Sequence, residues 1–193
     1  MENQIEKLRT QLQDFDTVVL LTQGEDAAGH ARPMAVARVD ENCDLWFFTG
    51  QDSAKVKEIE ADTHAQVIAQ NGWTSCVTVT GRATLVRNRS IIHELWKPAF
   101  KVWFPAGAED PNLVLIHFTG ERAEYWDSTG KNRLIYLYRA LKAVLQGTTP
   151  EINEGEQHGQ VTLAPQPAPA ETNDPFSADK IQDEPAFSTG TKP

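Results

Sequence analysis

Between Trp73 and Arg87 the chain reads WTSCVTVTGRATLVR, with polar and apolar residues alternating for the length of one long strand around Gly81. Strand side chains alternate between two faces, and a glycine inside such a run marks a bend or bulge of the kind that barrels need in order to close. The other apolar runs are short and set off by turn residues: TVVLLT from Thr17 to Thr22, His30 to Val39, LWFFT from Leu45 to Thr49, His64 to Gln70, Leu113 to Phe118, and Arg122 to Asp127 after a Thr119-Gly120-Glu121 turn. About six or seven strands with three short helices describe a mainly β fold, an antiparallel barrel and not an alternating α/β sheet.

The helices have identifiable places. Ile5, Leu8, Leu12 and Phe15 recur at helical spacing and predict an amphipathic lid on the core. Ala54 to Ala61 predicts a second helix with Val56 and Ile59 inward, and Asn88 or Ser90 begins a third that offers Ile91, Ile92, Leu95, Trp96 and Phe100 for packing. A last helix is expected from about Asn132 to Gln146, with Leu134, Leu137, Leu141, Val144 and Leu145 on one stripe and Gly147 as its stop. Such a stripe docks or dimerises.

Beyond that glycine the composition changes. Seven of the eleven prolines lie after Thr148, and that segment carries eight acids against two lysines, or −6 of the chain's formal −9. A domain over 1–147 and a disordered, Pro-rich, acidic tail over 148–193 are therefore expected. Neither part offers the basic surface that nucleic acid requires. Cys43 falls in a predicted turn and Cys76 in a predicted strand, without metal-ligand spacing, so reduced thiols are expected. The opening MENQIEKLRT has no apolar signal core, and no run approaches the roughly 18 apolar residues of a membrane helix. The expectation is a cytoplasmic protein with no membrane partner.

Candidate chemistry concentrates between His30 and Lys55. Arg32, Met34, Val36 and Arg38 share one face of a strand that turns at Asp40-Glu41-Asn42 into the aromatic strand at Leu45. The two are expected to pack as an antiparallel pair. After Gly50, either Asp52 or Ser53 is a capping residue for a helix whose first turn carries Lys55. Free N–H groups at a helix start, with a lysine and Arg32 nearby, suit a phosphate.

Those residues, Arg32-Pro33-Met34, Phe48-Thr49 and Ser53-Ala54-Lys55, resemble the flavin-phosphate site of the pyridoxamine-phosphate-oxidase-like, FMN-binding split-barrel superfamily. A second segment, with Trp96, Trp103-Phe104-Pro105, Gly107, Asp110-Pro111 and the later Glu124-Tyr125-Trp126-Asp127, resembles its general-stress-protein branch. Together the two span about residues 5 to 145. The resemblance implies a split β-barrel homodimer with two equivalent flavin sites at the interface, FMN as cofactor and FAD as the alternative. It implies that Arg32 and Lys55 hold the phosphate, that Thr49 and Ser53 line it, and that backbone at Pro33, Met34 and Phe48 passes the isoalloxazine. It also implies that the Trp103 loop shapes the cavity, while Trp126, followed by Arg133, serves the flavin bound mainly by the partner.

Departures from the family pattern are informative. Vitamin B6 oxidases of this superfamily carry a second basic residue where Ala54 stands and a histidine where Ile135 stands. Losing both argues against pyridoxamine-phosphate oxidation and leaves flavin binding. No residue is an obvious general acid or base, so no catalytic residue is assigned. His30, His64, His93, His117 and His158 lack helical ligand spacing, and no metal site is expected. Neither a Gly-x-Ser-x-Gly elbow nor a Gly-x-Gly-x-x-Gly loop occurs, which removes the hydrolase and Rossmann readings. What remains is a flavin-dependent oxidoreductase using a nicotinamide or other reductant, a stress-related flavin-binding protein without turnover, or a relative that binds deazaflavin or haem.

Overall fold

A computed structural model describes residues 2–24, 28–71, 75–127 and 158–163. Helix α1 (Glu2–Gln13) leads into strands β1 (Thr17–Gln23), β2 (Gly29–Ala35), β3 (Arg38–Val39) and β4 (Leu45–Gly50). Helix α2 (Ala54–Ala61), strands β5 (His64–Asn71) and β6 (Ser75–Val86), and helix α3 (Arg89–Leu95) follow. Two 3-10 turns, Pro98–Val102 and Gly107–Glu109, lead to β7 (Leu113–Asp127), and β8 (His158–Thr162) comes last. The strands run in the order β2-β1-β5-β6-β7-β4-β3, every pairing antiparallel, with β8 joined to β7 beside that path.

The core explains the curl. Met34 from β2 and Phe47 from β4, near opposite ends of the strand order, share one buried cluster with Val67, Val79, Ile116 and Phe118. A flat sheet could not bring them together, so the sheet wraps into a half-barrel. Leu8 and Leu12 enter the same cluster from α1 and Phe15 from just beyond its end, which makes that helix the expected lid. On the outer face of β4, Trp46 and Phe48 join Ile92, Leu95 and Phe100 in a second cluster under α3 and the following turns. Covered on both faces, β4 is buried from Leu45 to Thr49, which is why it reads as a continuous apolar run.

Gly81 is the bend the sequence predicts. The register of β6 against β7 shifts between Thr80 and Gly81, and a Cβ at Gly81 would land on the Thr119 carbonyl oxygen. Three expectations need correction. The turn expected at Thr119-Gly120-Glu121 does not break the chain into two strands. Gly120 pairs with Gly81, and the two strands bend together while β7 continues to Asp127.

The strand expected from His30 to Val39 is two strands. β2 pairs with β1 along its length and only Arg38 and Val39 pair with β4. Between them Val36 N–H donates to Asp16 and Ala37 N–H to Trp46, so the backbone changes partner at a barrel corner.

Residues 158–163, within the expected disordered tail, form β8 and bury Val161 and Leu163. The physical reason is a vacant edge: β4 pairs with β7 only as far as Phe118, and β8 takes Arg122 to Trp126 beyond it. Gly159 permits the crossing, because a Cβ there would sit 2.5 Å from the Tyr125 ring. The expected helix from Asn132 to Gln146, Trp73 and the rest of the tail lie outside the described residues. Among the described residues no helix is long and apolar enough to cross a membrane.

Candidate functional site

β4 ends at Gly50, and Ser53 N–H donates back to Gly50 at 3.1 Å in a tight turn that starts α2. Ser53 occupies the N-cap position in an extended conformation, yet its side chain makes no capping bond. Its hydroxyl instead lies 3.2 Å from Thr49 Oγ1, and Lys55 Nζ donates to that same oxygen at 3.0 Å. The first N–H groups of a helix have no intrahelical acceptor, so a side chain turned away from them leaves a place for an anion. Thr49, Ser53 and Lys55 thus converge at the end of β4.

Arg32 arrives from β2. Val18, Leu20 and Thr22 are the buried positions of β1, and the ladder sets His30 opposite Thr22 and Arg32 opposite Leu20, which puts both beside α2. There Arg32 meets Glu58, a buried acid on α2. Nη1 lies 2.8 Å from Oε2 and Nη2 3.2 Å from Oε1, a two-point contact. Nη1 also donates to Thr22 Oγ1 at 2.7 Å, the Thr22 hydroxyl donates to Glu58 Oε2, and His30 Nδ1 lies 2.7 Å from Oε1.

The electrostatics follow from this set of contacts. Burial alone would raise the Glu58 pKa, but hydrogen bonds from Arg32, His30 and Thr22, with the Arg32 charge, hold it at about 2. The carboxylate is ionised at neutral pH. Lys55 is half-buried, and its pKa is lowered by burial and by the Arg32 charge, with Glu58 opposing. A cation whose charged form is disfavoured by its surroundings gains from an incoming anion, so this donor set fits a phosphate.

Of the sequence-predicted residues, the structure brings Thr49, Ser53 and Lys55 into contact and sets Arg32 near enough for its charge to act on Lys55. Pro33 is exposed on β2, and Met34 and Phe48 are buried in the two core clusters. Trp103 is 61% exposed after the first 3-10 turn and Trp126 is 41% exposed near the end of β7. Thr49 pairs with Val114 at the start of that strand. Trp126 therefore lies on the order of 40 Å further along the same bent strand. Arg133 lies outside the described residues.

Sequence reasoning missed Glu58, with Thr22 and His30 as its partners. The available signal was spacing: Glu58 stands three residues after Lys55, hence on the same side of α2, between Lys57 and the inward Ile59. An acid at such a position requires a cation, and Arg32 is that cation. Among the described residues no three His, Cys, Asp or Glu side chains gather as a metal site would require.

Comparison with known proteins places this geometry in context. The family model described as pyridoxamine 5'-phosphate oxidase like matches residues 3–151. Protein bli-3 of Neurospora crassa is 26% identical over 147 residues, covering 70% of this chain and 70% of that protein. A general stress FMN/FAD binding protein from Xanthomonas citri superposes with a TM-score of 0.59 at 25% identity, over 68% of this chain and 93% of that one. General stress protein 26 from Bacillus anthracis gives 0.57 at 27% identity, over 63% and 92%. The mainly β, curled antiparallel sheet is thus the split-barrel fold of these proteins, as the sequence resemblance implied. With most of its length matched, the chain belongs to the pyridoxamine 5'-phosphate oxidase like family.

Proposed function

We propose that this protein binds a flavin mononucleotide by its phosphate at the junction of β4 and α2, as a homodimer with two equivalent sites. The observation that carries this reading is the convergence of Thr49, Ser53 and Lys55 on an uncapped helix start with Arg32 behind it. The Xanthomonas citri relative, an FMN/FAD binding protein of the same fold, supports the ligand class. Lys55 supplies the principal charge and Thr49 and Ser53 supply hydroxyls. FAD is the alternative cofactor, because Lys55 has Ala54 and not a second basic residue beside it, which leaves a phosphate grip that a diphosphate also satisfies. Charge-assisted hydrogen bonds of this kind contribute roughly 1.5–3 kcal/mol each.

The positions of the tryptophans support the dimer reading. Trp126 stands far along β7 from Thr49, and both Trp126 and Trp103 keep large exposed areas. A second subunit that set its own Trp126 and Trp103 beside the first subunit's phosphate group would use them, with Arg133 following. When bound, the flavin supplies hydride and electron transfer, and the protein supplies orientation and electrostatics. Glu58 does not serve as a proton donor there, since it is ionised and fully engaged. A flavin-dependent oxidoreductase drawing on a nicotinamide reductant is the reading favoured here, and vitamin B6 oxidation is not. A stress-related flavin-binding protein without turnover is the second reading, favoured by the engagement of the site's buried acid with Arg32, Thr22 and His30.

The test is a titration with FMN, FAD and riboflavin followed by fluorescence quenching, with light scattering on the same samples. FMN binding with one flavin per chain in a dimer is the expected result. Absence of binding by all three flavins overturns the proposal. Anaerobic addition of NADPH or NADH, read in the flavin absorbance, then separates the two functional readings.

A further inference from the structure

We propose that Glu58 is a brake on anion affinity, a buried carboxylate that keeps the Arg32 charge for itself so that the site releases a phosphorylated ligand readily. The inference rests on the flavin-phosphate reading above and adds a determinant of affinity that opposes the ligand. Glu58 is 8% exposed, and both its oxygens are occupied by Arg32, Thr22 and His30. An acid placed at this depth is not needed for packing, because desolvating it is costly and an apolar side chain would serve. Its position makes it the competitor of any anion for the same arginine.

The donor arithmetic supports this. A guanidinium has five N–H groups. Nη1 gives one to Thr22 and one to Glu58, and Nη2 gives one to Glu58, which leaves Nε and one Nη2 hydrogen for a ligand. The charges run the same way. Lys55 and Arg32 offer two positive charges and Glu58 cancels one, so these three groups together present a phosphate dianion with +1 where the two cations alone would present +2. The Thr22 hydroxyl accepts from Arg32 while donating to Glu58, closing a triangle that holds the arginine toward the acid. The carboxylate stays ionised under these contacts, so the cancellation operates at neutral pH.

The experiment measures FMN and riboflavin affinities for the full chain, for Glu58→Gln, and for the double variant Arg32→Met with Glu58→Gln. Glutamine keeps the shape and acceptor oxygen while removing the charge. Glu58→Gln is expected to tighten FMN about tenfold and to leave riboflavin within about twofold. The double variant restores the wild-type net charge and is expected to bind FMN within about threefold of wild type. Because it removes a buried pair as a unit, it keeps the proposal testable if the single variant folds poorly.

FMN binding weakened by Glu58→Gln, with riboflavin unchanged, would mean that the acid aims Arg32 at the phosphate, and the brake would be wrong. A tenfold loss of FMN in the double variant would overturn it likewise. If wild type binds neither flavin, the flavin reading has failed and inorganic phosphate is the probe, followed by the NMR shift of the Lys55 side chain. Tighter phosphate binding in Glu58→Gln then upholds the brake without the flavin, and unchanged binding ends it.

Discussion

Two buried acids flank β4, and only one of them stands at an opening. Asp44, immediately before the strand, lies 3.1 Å from His117 Nε2, with the two side chains 5% and 4% exposed. Trp46 stacks on the His117 ring at 4.2 Å and its indole N–H donates to Asp40, so the pair is roofed by an aromatic that is itself tied down. Glu58, beyond the other end of β4, is also buried, but its basic partners are not. The His30 side chain is 44% exposed and that of Arg32 21%. The same chemistry of acid and base therefore does two jobs. Where the base is sealed the pair can only hold the fold, and where the base reaches the surface the pair governs what binds there.

Perturbing the sealed region is expected to lower global stability and leave ligand discrimination intact. The largest stability effect should come from β8, which fills the vacant edge of β7. Val161 and Leu163 are each buried to 3% exposure in the main core. Burying such side chains contributes about 1.5–3 kcal/mol apiece. A chain ended after residue 157 should lose about 3–6 kcal/mol in urea unfolding. A chain ended after residue 163 should match the full protein, and equal stability of the two truncations would show that β8 adds nothing.

Asp44→Ala sharpens the comparison from inside. It leaves His117 without its carboxylate, and among the described residues His117 Nδ1 already has no partner. Breaking a buried pair on one side costs about 3–5 kcal/mol. The FMN to riboflavin affinity ratio should not move, and a change in that ratio would mean that the sealed pair communicates with the site after all.

Glu58, in the open region, bears on stability as well as on binding, and pH separates its two roles. Its folded pKa, about 2, lies below the ordinary carboxyl value of 4.5. A depressed acid stabilises the folded state above its unfolded pKa, and that contribution is lost as pH falls from about 4.5 toward 2. The loss should be on the order of 3 kcal/mol. Urea unfolding of wild type and Glu58→Gln across this window should give curves whose separation shrinks with acid. Parallel curves would mean that Glu58 carries no such linkage.

How much of this was legible depended on whether a residue's role was local. Gly81, the lid residues Leu8 and Leu12, and the helix from Ala54 to Ala61 were all read from spacing within one segment, and the fold keeps them. Lys55 was read from its place in the first turn of a helix and Thr49 came with the family resemblance, and the structure sets the two in contact across one turn. The failures lie where the partner is remote. Glu58 finds Arg32 across 26 positions, β2 turns to β1 and away from β4, and β8 returns from the far side of an undescribed stretch to fill an edge. Composition read the segment after Thr148 as one tail because its prolines outvote the short alternation around Val161.

The smallest expected effect is the most specific to the open region. Lys55 carries the principal charge there, its Nζ 3.0 Å from Thr49 Oγ1, and its pKa is lowered by burial and by Arg32. Removing it relieves that repulsion, so Lys55→Ala should cost little stability and could raise it slightly. FMN loses a charge-assisted contact worth roughly 1.5–3 kcal/mol, which corresponds to a weakening of about tenfold to a hundredfold. Riboflavin has no phosphate and should bind Lys55→Ala as it binds wild type, which distinguishes a lost contact from a damaged fold. Arg32→Ala should weaken FMN as well, and it should also destabilise the protein, because it strands the Glu58 charge in the interior. If Lys55→Ala weakened FMN and riboflavin equally, the lysine would be structural, like the base of the sealed region, and the distinction between the two ends of β4 would fail.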